Sequence, residues 1–415
     1  MSLGRTIGIP GALVLGLGSM VGTGVFVAMG LAASVIGDRL PLAIGLAAIV
    51  AMLNGLSAAR LAARHPVAGG TAVYARKELH PMLGTAAGWL FLVAKGASAA
   101  TAAIGLTGYL FPNAPGVIAL IPVAIATGIA LVGLRFSMIS TAVLVVIAVG
   151  ALLTFSGWAF TLPRFGAVAA ESSASIITYP LLHATALMFV AFTGYGRIAT
   201  LGEEIRDPSR SIPRAVIITI MVTAGLYAIV ALATLHAMGA KAFAATAGGD
   251  APLATLARES GGETIARLIL CGAVAAVGGV LLNLVLGLSR VVLALGREGD
   301  LPSRFAVVRN GRPNAAILLV GLGVGIVAIM GSIQTAWTTS AAAVLIYYAL
   351  TNLAAIAAAR READRILIVT ATAGLLGCGI LALALPAQAW LPTGLAVVGG
   401  LIISGFVRPT ADRLG

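Results

Sequence analysis

Residues 16–26 read Gly-Leu-Gly-Ser-Met-Val-Gly-Thr-Gly-Val-Phe, with four glycines in nine positions of an otherwise apolar run. Glycine is about 1 kcal/mol worse than alanine inside a helix. A cluster of this kind marks either a face for close helix packing or a place where the helix opens. Gly22-Thr23-Gly24 sets a hydroxyl between two permissive residues, which favours an unwound turn offering freed N–H and C=O groups to a ligand. A similar segment recurs at 189–196, Phe-Val-Ala-Phe-Thr-Gly-Tyr-Gly, again with Thr beside Gly in mid-run. Lys95 and Arg197 are the ionisable side chains, histidine aside, that fall near the middle of apolar runs. A cation at the centre of a bilayer costs about 2.5–3.5 kcal/mol on insertion scales. Both are therefore expected to face protein or a water-filled cavity, and both are candidates for coupling; Arg197 also has Glu203 and Glu204 within reach as partners.

Other chemistry is excluded by what the chain lacks. His65, His80, His183 and His236 stand singly at loops or run ends and read as structural. Cys271 and Cys378 lie inside apolar runs, with neither disulfide nor metal-ligand spacing. No His-Glu-x-x-His, Gly-x-Ser-x-Gly or phosphate-cradling loop is present, so the chain does not read as an enzyme, and no metal or cofactor is expected.

The elements that position the glycine breaks and the two cations follow from composition. Of 415 residues 60% are hydrophobic and 10% charged, whereas a soluble domain carries about 25% charged residues. A membrane-crossing helix takes about 20 residues. Runs of that size lie near 11–36, 40–61, 83–111, 115–134, 137–162, 180–201, 214–238, 264–294, 314–331, 335–359, 366–386 and 389–407. The first is far longer than the apolar core of a cleavable signal peptide. Long apolar runs must be helical, because a backbone exposed to lipid has to satisfy its own hydrogen bonds. The expected fold is an all-α integral membrane protein of about twelve transmembrane helices forming a single domain, 1–415.

With the N-terminus inside, 19 basic residues fall on inner segments and 5 on outer ones. The positive-inside rule then places both termini in the cytoplasm, with the chain in a plasma or inner membrane. The same asymmetry accounts for the net charge of +12, so no nucleic-acid partner is implied. All 14 acidic residues can be placed outside the span centres, which leaves no carboxylate for a cationic substrate side chain.

The two glycine breaks head two groups of five spans, about 11–162 and 180–359, followed by two accessory helices at about 366–407. An odd number of spans per group inverts the second, and paired interruptions in inverted halves point to secondary transporters that bind substrate near the midplane.

Four segments resemble the amino acid-polyamine-organocation (APC) transporters. Val21-Gly22-Thr23-Gly24-Val25-Phe26 is similar to that family's first-span signature, and Pro66-Val67-Ala68-Gly69-Gly70-Thr71-Ala72-Val73-Tyr74 to its Pro-x-x-Gly-Gly-x-x-x-Tyr segment. The loop Glu203-Glu204-Ile205-Arg206-Asp207-Pro208 through Pro213-Arg214 resembles its Glu-Glu-x-x-x-Pro-x-x-x-x-Pro-Arg loop. Ser289-Arg290, followed by Arg297-Glu298-Gly299-Asp300-Leu301-Pro302, resembles the end of its eighth span.

The resemblance implies a LeuT-type 5+5 inverted repeat with discontinuous helices 1 and 6, alternating access, and an amino acid held between the breaks. A carboxylate suits the N–H groups around Thr23 to Val25, at the positive end of a half-helix. An ammonium suits carbonyls freed around Gly18, Ser19 and Met20 and around Phe189 to Phe192. The substrate-binding set is therefore Gly18, Ser19, Met20, Gly22, Thr23, Gly24, Val25, Phe189, Phe192, Thr193, Gly194 and Tyr195. The resemblance also places Phe192 and Tyr195 at an aromatic gate, a role that competes with plain packing.

Two departures matter. Some APC members carry a lysine in span five that stands in for sodium, at a position that falls near Ala148 here, in a span with no lysine; Lys95 is expected to supply that charge from span three and to release a proton during turnover. Gly196 stands where many relatives carry an acid. Neutral amino acids, with protons as coupling ion or by exchange, are the expected cargo. Acidic amino acids are the alternative, and an ion or solute channel is the rival from another class. Sodium coupling is disfavoured, since residues 278–283 of span eight carry neither Ser nor Thr.

Overall fold

In the computed structural model, which describes residues 7–65, 69–133, 138–165, 178–199, 205, 207–248, 251–309 and 311–411, the apolar runs are helices and no strand forms among the described residues. The first run is divided: α1 (Ile9–Met20), a π-helical turn at Gly24–Ala28, and α2 (Met29–Ile36). It is followed by α3 (Leu40–Arg64), the short α4 (Thr71–Glu78), α5 (Pro81–Leu110), α6 (Leu120–Val132) and α7 (Met138–Ala159). The sixth run is divided too, into α8 (Tyr179–Phe192), a 3-10 turn at Thr193–Tyr195 and α9 (Gly196–Ala199). Then come α10 (Pro208–Ala245), α11 (Pro252–Glu259), α12 (Glu263–Arg297), α13 (Asn314–Met330), α14 (Ile333–Glu362), α15 (Arg365–Leu383) and α16 (Trp390–Ala411).

Nine helical stretches among the described residues are long and apolar enough to cross a membrane, and the longest, Ile9–Arg64, contains α1 to α3. Gly116–Val132 and α13 are shorter apolar helices. Proline occupies the first turn of α1, α3, α5, α8, α10 and α11, where its missing N–H would have had no helical acceptor. Side chains cap others: the His80 ring accepts from the Met82 N–H, Asp364 accepts from Leu367, and Ser332 with Thr335 forms a capping box on α14. The seventh run extends beyond the expected 214–238. Pro208 starts α10 earlier, and the helix continues past a bend at Gly239, whose φ of +73° suits glycine.

α5 lies at the centre, packed against α12, α13 and α14. α1 packs on α7 and α10, α8 on α3 and α14, α12 on α6 and α7, α10 on α3 and α7, and α3 on α14. Contact faces are rich in small side chains: Ala43, Ala47 and Ala51 on α3, Ala99 to Ala103 on α5, and Ala354, Ala355 and Ala358 on α14 are buried. Small residues let helix backbones approach closely, which is how association proceeds where burial from lipid yields no hydrophobic gain. Large apolar side chains such as Ile139, Leu322, Met330, Ile366, Leu383 and Phe406 point outward.

Charged residues gather at the arginine-rich end. Buried Glu78 of α4 accepts from Arg64 at 3.0 Å, Arg361 at 2.9 Å and His65 at 2.7 Å. Asp300, wholly buried after α12, meets Arg76 at 3.0 Å and the Thr85 hydroxyl at 3.2 Å. Removing one partner of a buried ion pair typically costs about 3–5 kcal/mol. Arg76→Ala is therefore expected to lower the melting temperature of the purified protein in detergent by several degrees, while Arg267→Ala, which breaks an exposed pair on α12, should leave it within about 1 °C.

Candidate functional site

The first break forms where Val21 leaves the helix with φ −73° and ψ 99°, its N–H still bonded to the Leu17 carbonyl. The chain re-enters a helix at once: the N–H groups of Val25 and Phe26 both donate to the Gly22 carbonyl at 3.1 Å. The expected carboxylate cradle at Thr23–Val25 thus narrows to Thr23 and Gly24, because the Val25 N–H is already engaged. Opening and close packing both occur here, since a Cβ on Gly24 would lie 2.3 Å from that of Ala191 on α8.

The second break is tighter than an unwound segment. Thr193 to Tyr195 make a single 3-10 turn, and the Val190 carbonyl accepts from both the Thr193 N–H and, at 2.7 Å, the Thr193 hydroxyl. The breaks touch: a Cβ on Gly194 would sit 2.5 Å from the Ser19 carbonyl oxygen. The C-terminal ends of α1 and α8 therefore meet, and their partial negative charges add at one place.

Side chains that sequence reading did not single out hold this geometry. The Tyr227 hydroxyl of α10 donates to the Met20 carbonyl at 2.6 Å and lies 3.4 Å from that of Ala191. Tyr109 of α5 donates to the Phe26 carbonyl at 2.8 Å, Tyr348 of α14 to the Thr193 carbonyl at 3.4 Å, and the Trp337 indole to the Leu187 carbonyl at 2.9 Å. Part of the carbonyl set expected for a substrate ammonium, Met20 above all, is satisfied by these donors. The available signal was a Tyr or Trp within an apolar helix, where its polar atom needs a partner.

Between the breaks lies a cavity of about 40 Å³, room for roughly three waters at 10–15 Å³ each. Ser19, Met20, Thr23 and Gly24 line it from the first run, Val190, Ala191 and Thr193 from the sixth. α5 contributes Lys95 and Ser98, α12 Val280 and Leu284, and α14 Trp337. Thr23 lines the cavity and is buried, and its hydroxyl, like that of Tyr195 in the second break, has no hydrogen-bond partner, which leaves a polar atom open to a ligand. The Lys95 ammonium donates to the Thr193 hydroxyl at 2.7 Å. Among the described residues no carboxylate lines this cavity.

Six of the expected residues thus converge: Ser19, Met20, Thr23, Gly24, Thr193 and Lys95. Gly18 lines a second, smaller cavity with Val21, Ala148, Ala275, Gly279 and Asn283. Ala148, near which the resemblance places the span-five lysine of some APC members, and Lys95 therefore belong to different cavities. Gly22, Val25, Phe189, Phe192, Gly194 and Tyr195 surround the breaks without lining the first cavity. Phe192 packs on Tyr227 and Tyr195 on Tyr348, each pair of rings 5.3 Å apart, and both phenylalanine and tyrosine are fully buried. Arg197 lies on α9, outside the cavity lining, and Glu203 and Glu204, its expected partners, fall outside the described residues.

A family model described as "Amino acid permease" matches residues 11–387. An uncharacterised transporter of Mycobacterium tuberculosis is 38% identical, with the match covering 99% of this chain and 93% of that protein. The branched-chain amino acid permease BcaP of Bacillus subtilis is 26% identical over 74% of this chain and 70% of its own length. Human cationic amino acid transporter 4 is 26% identical over 80% of this chain and 56% of its own.

Two substitutions test the geometry in reconstituted vesicles. Gly24→Ala forces a Cβ against Ala191, at an overpacking cost of about 1–3 kcal/mol, and is expected to reduce solute uptake at least tenfold, whereas Gly225→Ala, which meets open space on α10, is expected to keep it. Tyr227→Phe leaves the Met20 carbonyl without its hydroxyl donor, a loss of about 1–3 kcal/mol, and should lower transport kcat/KM roughly tenfold.

Proposed function

The chain belongs to the amino acid permease family, and from that premise we propose that it carries neutral amino acids with short side chains by alternating access, as a secondary transporter coupled to protons or working by exchange. It is a multi-pass membrane transporter and not an enzyme. The observation that carries the finer reading is the cavity between the two breaks, where the Thr23 hydroxyl lacks a partner and the C-terminal ends of α1 and α8 meet. A zwitterion matches these two poles, its carboxylate toward Thr23 and Gly24 and its ammonium toward the α1 and α8 ends. The small volume and the apolar walls Val280, Leu284 and Trp337 favour a short uncharged side chain.

A twelve-span, LeuT-type inverted repeat underlies this reading. What supports it is the exchange symmetry of the packing. Pairing the first run with the sixth, α3 with α10, α5 with α12, α6 with α13 and α7 with α14 converts one set of contacts into another. The contact α1 on α10 becomes α8 on α3, α1 on α7 becomes α8 on α14, α5 on α14 becomes α12 on α7, and α5 on α13 becomes α12 on α6; each pair is present. The distribution of 19 against 5 basic residues supports a cytoplasmic membrane location with both termini inside. Proton coupling or exchange is favoured over sodium because α12 brings Ala275, Ala276, Gly279 and Asn283, and no hydroxyl, to the cavity beside Gly18 and Val21. Lys95 is the coupling group in this reading.

One human relative is named for cationic amino acids, but a cavity lined by a lysine and, among the described residues, by no carboxylate opposes a cationic side chain. Lys95 favours a second reading, acidic amino acids, whose extra carboxylate would meet its charge.

Counterflow in proteoliposomes decides among these. Labelled L-alanine is expected to enter vesicles preloaded with alanine, serine or valine, saturably and independently of sodium, with arginine and lysine failing to exchange. Preferential exchange of glutamate would establish the second reading, and a non-saturating, ohmic flux would replace a carrier by a channel.

A further inference from the structure

Lys95 stands at the end of the cavity that attracts cations. Its ammonium donates to the Thr193 hydroxyl, which passes a hydrogen bond to the Val190 carbonyl in the last turn of α8. Thr193 adjoins Gly194, and Gly194 lies against the Ser19 carbonyl in the last turn of α1. A substrate ammonium drawn by the two C-terminal helix ends therefore arrives where the protein already holds a cation. The surroundings give no means of neutralising two. Among the described residues no Asp, Glu or His lines the cavity. The titratable groups around Thr193 are the phenols of Tyr348 on α14 and Tyr195 in the turn, with Tyr347 adjoining on α14, and the next charged residue along the chain is Arg197 on α9. α1 presents Ser19 and Met20, α12 Val280 and Leu284, and α14 Trp337. Like charges in a poorly solvated site repel strongly, and the group that can shed its charge does so.

We propose that Lys95 and the substrate ammonium are alternative occupants of one cation seat, so that the protein exchanges one amino acid for one proton in opposite directions. The inference rests on the amino acid reading above and sets the sign of its coupling. When the zwitterion binds, a Lys95 Nζ–H bond breaks, the nitrogen keeps the electron pair, and the proton leaves through cavity water to the side then open. After the amino acid departs on the other side, neutral Lys95 takes a proton there, and the empty carrier returns with it. Each cycle moves one amino acid one way and one proton the other. Lys95 is partly exposed and lines the cavity, so protons and substrate approach it from one compartment.

The test uses proteoliposomes of the full chain with labelled L-alanine equal on both sides and the membrane potential held at zero by potassium and an ionophore. With the interior one pH unit more alkaline than the medium, alanine is expected to leave until its interior concentration is about tenfold below the exterior one, the ratio set by one-for-one exchange. Accumulation inside, as a symporter would give, or no response overturns the proposal. Alanine counterflow that persists in those cases leaves the amino acid reading standing, and its absence refutes that reading itself. Lys95→Arg, a cation that does not release its proton, is expected to abolish alanine movement, and wild-type exchange in that variant overturns the proposal. Lys95→Met is expected to lose the response to the pH gradient, and alanine efflux that still follows the gradient refutes it.

Discussion

A helix that opens inside a membrane exposes N–H and C=O groups that water cannot satisfy, and the core of this protein is arranged around that constraint. The two openings are kept short: one extended residue at Val21 and one 3-10 turn at Thr193–Tyr195. Hydroxyls and an indole from α5, α10 and α14 supply donors to the carbonyls near them. Two hydroxyls at the breaks, those of Thr23 and Tyr195, depart from this pattern, and Thr23 does so on the cavity wall. An unmet polar atom on a cavity wall is what a ligand-binding opening requires.

The same constraint explains the use of small residues. Donors reach the broken helices because the backbones lie close together, and alanine on α3, α5 and α14 with glycine at positions 24 and 194 makes that approach possible. The glycine cluster of the first run therefore has two functions at once, releasing the helix and admitting a neighbour, and the alternatives of break and packing face describe adjacent residues of one device.

Charge is distributed by an equally simple rule. Exposed arginines and the buried carboxylates Glu78 and Asp300 form networks at one end of the molecule, where each ion has partners and α4 ties α5 to α14. Lys95 is held differently. Its hydrogen bond is to a neutral hydroxyl, and it adjoins the cavity and not an ion network. A charge held there without a counter-ion among the described residues is available to respond to what enters the cavity, while the charges at the arginine-rich end hold helices together.

The sequence by itself determined the helical class, the positions of the apolar runs and the two places where they open, because run length, glycine content and the need for internal hydrogen bonding in lipid are local properties. It also singled out Lys95 and Arg197. Only the tertiary structure separated them, placing Lys95 on the cavity wall and Arg197 beyond it. It also assigned Tyr227, Tyr109, Tyr348 and Trp337 to particular carbonyls and buried Phe192 and Tyr195 against tyrosine rings. These outcomes depend on how each helix is rotated about its axis against its neighbours. In a chain whose runs are apolar on nearly every face, hydrophobic periodicity carries little record of that rotation. It is decided by the close fit of small residues and by which buried hydroxyl reaches which open carbonyl.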